Sequence, residues 1–153
     1  MQTHGFSKKV SLIFEKQGVN SRHMNMINSP SAFSRAKGLI LARQNLDKRS
    51  QKLAASLIAL RLSKDPNPLV RRAALETNLI FGKKEAYEEL EHELRTAKKI
   101  SPLINLISRV SNESKENDLL LQRALKKALY PRINKGEIKL TSEQEFVLSM
   151  LYL

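Results

Sequence analysis

The densest group of side chains able to hold a metal or move a proton lies between Glu85 and Glu93, read as Glu-Ala-Tyr-Glu-Glu-Leu-Glu-His-Glu. Glu89 and His92 are three residues apart. That spacing puts a carboxylate and an imidazole on one helix face, as helical di-metal sites require. Such a site also needs a second Glu-x-x-His on another helix, and neither His4 nor His23 has a glutamate at that distance. Leu90 and Leu94 put the core-facing side of the segment beside His92, not on it. The segment therefore reads as a solvated acidic helix face. Glu91 and Arg95 form an i,i+4 pair on it, and Lys98 and Lys99 sit where the helix dipole favours cations.

Other catalytic patterns are weaker still. Gly82-Lys83-Lys84 has no preceding glycine at phosphate-loop spacing and no strand leading into it, and the chain holds five glycines in all. There is no Cys, which excludes a disulfide scaffold, a thiolate zinc site, an iron–sulfur centre and a cysteine nucleophile. No spacing gathers Ser, His and Asp. The expectation is a non-enzymatic protein with no catalytic residues, no metal and no cofactor.

Charge is the more informative signal. The 153 residues carry a net +12, but unevenly. Residues 1–64 hold 12 Lys/Arg against only Glu15 and Asp47, a net of +10, while residues 65–153 hold 15 against 13. A partner argument from charge therefore concerns the first 64 residues. Lys37, Arg43, Lys48, Arg49 and Lys52 are the candidate binding patch, with Lys48, Arg49 and Lys52 its centre and Lys8, Lys9, Lys16 and Arg22 on an arm ahead of it. Two functions fit. The first is a protein-interaction module: an adaptor, a chaperone-like partner or a regulator, with Met24, Met26, Ile27 and Phe33 as adaptable contacts. The second is nucleic-acid binding, in which residues 35–52 and the arm neutralise phosphates. Aromatics make up only 5% of the chain, against a base-stacking reader of single strands. The acidic helix 83–99 and the apolar C-terminus are two further surfaces suited to self-association.

The elements that must position these residues are helical. Residues 1–31 read as a basic, partly disordered arm, with a short amphipathic helix from Phe6 to Lys16 ended by Gly18, and loop over Asn20–Ser31. Residues 32–153 read as a single helical domain. Ser29-Pro30 starts a helix. In Asp47–Leu62 an apolar arc of about 200° has Leu46, Leu53, Leu57 and Leu60 as its main seam and Ala54, Ile58 and Leu62 as a second ridge, at 100° per residue. Asn67-Pro68 caps and opens the next helix, and Gly82 ends it. Helices follow over 83–99, from Ser101-Pro102, over Asp118–Tyr130 with Asn117 as cap and Pro131 as stop, and from Thr141 or Ser142 through alternative capping boxes. Asn134-Lys135-Gly136 suggests a tiny hairpin. The apolar run Phe146–Leu153 must dock on the core. The fold class is all-α, a compact multi-helix bundle or short helical stack of seven to eight helices. With no membrane-length apolar run, a cytoplasmic protein without membrane association is expected, signal-peptide-independent secretion remaining open.

The run Asp65-Pro66-Asn67-Pro68-Leu69-Val70-Arg71-Arg72-Ala73-Ala74-Leu75 resembles the turn and second-helix start of a HEAT-like helical repeat, one unit over residues 47–80. Leu120-Leu121-Gln122-Arg123-Ala124-Leu125 is a poorer echo, 51 residues on. The resemblance implies that Asp65 and Arg71 stabilise the stack, that the alanines permit close helix approach, and that the chain is an interaction scaffold.

Overall fold

A computed structural model describes residues 5–44, 46 and 49–153. The regular secondary structure of the described residues is all helical, with no strand among them. They divide into two compact units, meeting in sequence between Asn78 and Leu79.

The first unit contains α1 (Lys8–Lys16), α2 (Ser21–Ile27), α3 (Ala32–Gln44), α4 (Arg49–Leu62) and most of α5 (Pro68–Ile80). Short polar side chains start these helices. Ser7 accepts from the Val10 amide, Asn20 from the Arg22 amide and Asn67 from the Leu69 amide, satisfying N–H groups that the first turn leaves open. Gly18 stops α1 with φ +110, and a Cβ there would collide with Gln51, so only glycine fits. Ser31, not Ser29, supplies the hydroxyl that accepts from Ser34 at the start of α3.

Residues 1–31 are therefore not an irregular arm where the structure describes them. Asn20–Ser31 was expected as loop, yet α2 fills most of it, and Met24 and Ile27 are completely buried with Leu39 of α3. The helical period was hidden because α2 is seven residues long and only Met24 and Ile27 of it are buried. Asn28 ties it to α1, donating to Ser11 Oγ and accepting from the Phe6 amide. The boundary drawn at 31/32 thus cuts through one packed core, and the structural division falls 47 residues later, at 78/79.

The second unit contains α6 (Lys84–Thr96), α7 (Ser101–Glu113), α8 (Asp118–Ala124), α9 (Tyr130–Asn134) and α10 (Ser142–Ser149). Its core is Leu90, Leu94, Leu103, Ile104, Leu106, Ile107, Val110, Leu121, Leu125 and Leu129. Three expectations change here. Asn117 does not cap α8. It lies in a short 3-10 turn, and its side-chain Nδ2 donates to the Ile80 carbonyl at 2.7 Å, closing the end of α5. Pro131 does not stop the helix. A π turn over Leu125–Leu129 widens the coil, the Tyr130 amide reaches back to Leu125, and Pro131 then sits in the first turn of α9, where no amide is needed. Residues 133–140 form no hairpin. Gly136 turns the chain with φ +77, and Arg132 donates instead to the carbonyls of Leu94 and Ala97, capping α6.

The Thr141–Gln144 capping box is present in full and opens α10. The C-terminal run docks on one side only: Leu148 and Leu151 are buried, whereas Phe146, Tyr152 and Leu153 are exposed. Tyr87 is buried and donates to the Leu79 carbonyl. Burial, and then the charge of Asp118, push its phenol above the ordinary value.

No helix among the described residues is long and apolar enough to cross a membrane.

Candidate functional site

Helix α4 has two apolar faces. One carries Ala54, Ala55, Ile58, Ala59 and Leu62, all buried in the core of the first unit. The small alanines let neighbouring helices come close. The opposite face carries Leu53, Leu57 and Leu60, which are 55%, 44% and 61% exposed. Spacings of four and three residues place these three leucines in one stripe. This reverses the expectation that they form the main inward seam. An apolar arc of about 200° is wider than packing on one side can cover, so part of it must face out. The Ala–Ile ridge packs more closely and takes the core.

The expected basic patch is also redistributed. Arg49 and Lys52 lie exposed on the first turn of α4, beside the leucine stripe. Lys37 is exposed on α3, on the side that also carries exposed Phe33 and Gln44. Lys48 lies outside the described residues. Arg43 is not a surface residue: it is 5% exposed, donates to Thr77 Oγ1 at 3.0 Å and pairs with Glu76 at 3.2 Å. The sequence does carry a signal for this. Arg35, Leu39, Ala42 and Arg43 fall within about 100° of one another at 100° per residue, so Arg43 is in phase with the core.

Arg35 is buried in the same way. Its Nε and Nη2 bind the two oxygens of Asp65 at 2.9 and 3.0 Å, and its Nη1 donates to the Ser29 and Pro30 carbonyls. Asp65 also accepts from the Asn67 amide, and Arg71 donates to the Asp65 and Pro66 carbonyls. Two of the twelve cations in residues 1–64 are therefore spent inside the fold.

Sequence reasoning missed the neighbour of the stripe. Helix α1 lies antiparallel along α4. At one end Ser50 and Gln51 donate to the Gln17 and Gly18 carbonyls. At the other, Arg61 donates to the Gly5 carbonyl, with its guanidinium 4.8 Å above the Phe6 ring. Phe6 in turn meets Phe14 edge to face at 5.2 Å. On α1 itself Ile13 is 46% exposed. Exposed apolar side chains therefore stand on both helices, Ile13 on α1 and Leu53, Leu57 and Leu60 on α4, and so do exposed cations, Lys9 and Lys16 on α1 and Arg49, Lys52 and Lys64 on or just beyond α4.

The second unit offers less. In α6, Glu88 pairs with Lys84, and Glu91 with Arg95 and Lys127, while His92 is exposed. Among the described residues no three His, Cys, Asp or Glu side chains gather as metal ligands. A shallow groove of about 230 Å³ runs between α7 and α10, lined by Ile107, Ser111, Phe146, Val147 and Met150. The one cation on it, Lys115, is 3.7 Å from Asp118.

Comparison of the chain with known protein families, with curated proteins and with solved structures gives no match to any of them.

Proposed function

We propose that this chain is a non-enzymatic helical module that binds another protein through the outward face of α4 and α1. The observation that carries the reading is the leucine stripe: Leu53, Leu57 and Leu60 stand about half exposed, in helical register, on a helix whose core side is already filled. Covering what remains of three leucines is worth about 1 kcal/mol each, roughly 3 kcal/mol in all, enough to anchor a partner but not to bind it alone. An adaptor, chaperone-like partner or regulator in the cytoplasm suits such a surface. A HEAT-like scaffold suits it too. Asp65 and Arg71 rigidify the turn between α4 and α5, which supports the role that resemblance gives them.

Nucleic-acid binding is the weaker reading. Arg35 and Arg43 are unavailable to phosphates, and a phosphate backbone laid along Arg49 and Lys52 would run beside apolar side chains it cannot use.

A photo-reactive amino acid at Leu57, with Asn134 in the second unit as the comparison position, tests this in extract of the source cells. Discrete, nuclease-resistant protein adducts at 57 and none at 134 are expected. Adducts that vanish with nuclease, or none at 57, would overturn the reading.

A further inference from the structure

We propose that the partner segment seated on the α1–α4 face is an acidic amphipathic α-helix of another protein. This rests on the protein-interaction reading above and adds the chemistry of the partner.

Shape comes first. The three leucines of α4 form an exposed apolar stripe, and α1, tied to both ends of α4, carries the exposed Ile13. Anchors at i, i+4 and i+7 are the pattern by which one helix reads another. From Arg49 to Leu60 the face is about 16 Å long at 1.5 Å per residue, which matches a partner helix of about three turns.

Charge then selects the partner. Exposed Lys9 and Lys16 stand on α1, and exposed Arg49, Lys52 and Lys64 on or just beyond α4. Glu15 is the one carboxylate among the described residues before Asp65. A helix with leucine-like residues on one face and Glu or Asp along both edges satisfies the apolar floor and the cationic rim together. A second copy of the same face does not. Antiparallel pairing of α4 on itself would bring Arg49 of one copy toward Arg61 and Lys64 of the other, and parallel pairing would set Arg49 against Arg49. Both arrangements place like charges together.

The test uses the full chain and a fluorescent peptide of about 18 residues, with Leu at i, i+4, i+7 and i+11 and Glu on both flanks. Alongside it run the same peptide with every Glu changed to Lys, vesicles of phosphatidylcholine with a quarter phosphatidylglycerol, and a duplex DNA and duplex RNA of about 20 base pairs. The acidic peptide is expected to bind, and its affinity to fall several-fold between 50 and 200 mM salt. The pair Leu53→Ser and Leu57→Ser should weaken it at least about tenfold, with circular dichroism unchanged, because both side chains already face solvent. The pair Arg49→Glu and Lys52→Glu should weaken it about tenfold, and the Lys peptide should bind that variant better than the parent chain, a charge swap that general stickiness cannot produce. Lys126→Glu in the second unit should leave binding within about twofold.

Equal binding of the Glu and Lys peptides, indifference to the leucine changes, tighter binding to vesicles or nucleic acid, or a concentration-dependent dimer abolished by Leu57→Ser would each overturn the proposal. Its failure is distinguishable from failure of the broader reading. Protein adducts at position 57 without acidic-peptide binding would leave an interaction module with another kind of partner. Loss of both results would remove both.

Discussion

The Arg35–Asp65 pair offers the sharpest stability test. Both side chains are nearly inaccessible, 3% and 5% exposed. Asp65 accepts two bonds from the guanidinium and one from the Asn67 amide, and Arg35 uses its remaining nitrogen on two carbonyls of the α2–α3 loop. The pair thus joins the entry of α3 to the turn between α4 and α5. Asp65→Ala would leave a buried guanidinium without its counter-charge and remove the Asn67 bond. Breaking one side of a buried pair costs about 3–5 kcal/mol, a large share of the roughly 5–15 kcal/mol that holds a domain folded. Asp65→Asn keeps an acceptor but no charge and should cost less. The double change Arg35→Met with Asp65→Ala removes the stranded charge, so it should cost clearly less than the sum of the two single changes. Because the chain has two compact units, the assay should be local: hydrogen exchange on residues 32–44 and 68–77, beside urea unfolding by circular dichroism. Burial shields the pair from salt, so the loss should persist in 0.5 M NaCl. A loss below about 1 kcal/mol for Asp65→Ala, or strict additivity in the cycle, would refute the argument that this pair organises the first unit.

Arg43→Ala should destabilise by about 2–4 kcal/mol in urea, since it removes a buried cation bonded to Glu76 and Thr77 and leaves a cavity, and should leave acidic-peptide affinity unchanged. Gly18→Ala should lower the melting temperature by several degrees, about 1–2 kcal/mol or more, because φ is +110 and the new Cβ would meet Gln51; a neutral result would contradict that close approach. The folded chain holds the Tyr87 phenol above its unfolded value near 10, so the corresponding stability is fully present below about pH 10 and is lost as pH rises through the folded value. Tyr87→Phe should flatten that alkaline loss in pH-dependent thermal melts. Leu57→Ser should cost about 1 kcal/mol, since a little over half of that side chain is already covered before any partner arrives; a loss of about 3 kcal/mol or more, like that of a core leucine, would place it in the core.

Much of the fold was legible wherever a local rule acts. Gly18 and Gly82 ended helices, Asn67-Pro68 began one, and Thr141 with Gln144 closed a capping box as their types imply. The acidic face of α6 was legible for the same reason: Leu90 and Leu94 fix its phase, and the Glu91–Arg95 pair follows. The readings that failed involve two elements at once. Asn117 has a good cap residue's chemistry, but the end of α5 offers it a carbonyl. Pro131 would stop an isolated helix, but a packed π turn carries the chain past it.

Sequence alone determined the all-helical class, the positions of most helix ends and the crowding of cations into the first 64 residues, because propensity, capping and charge are properties of residues and their near neighbours. Tertiary structure decided which face each helix turns inward. On α4 the pattern offered two apolar ridges of similar strength, and the closer fit of Ala54, Ile58 and Leu62 to the neighbouring helices sent Leu53, Leu57 and Leu60 outward. On α3 the same choice buried Arg35 and Arg43, because Asp65 and Glu76, 30 and 33 residues away, were there to receive them. A candidate surface is made of what packing leaves over, and that remainder is fixed only when all the helices have chosen their neighbours.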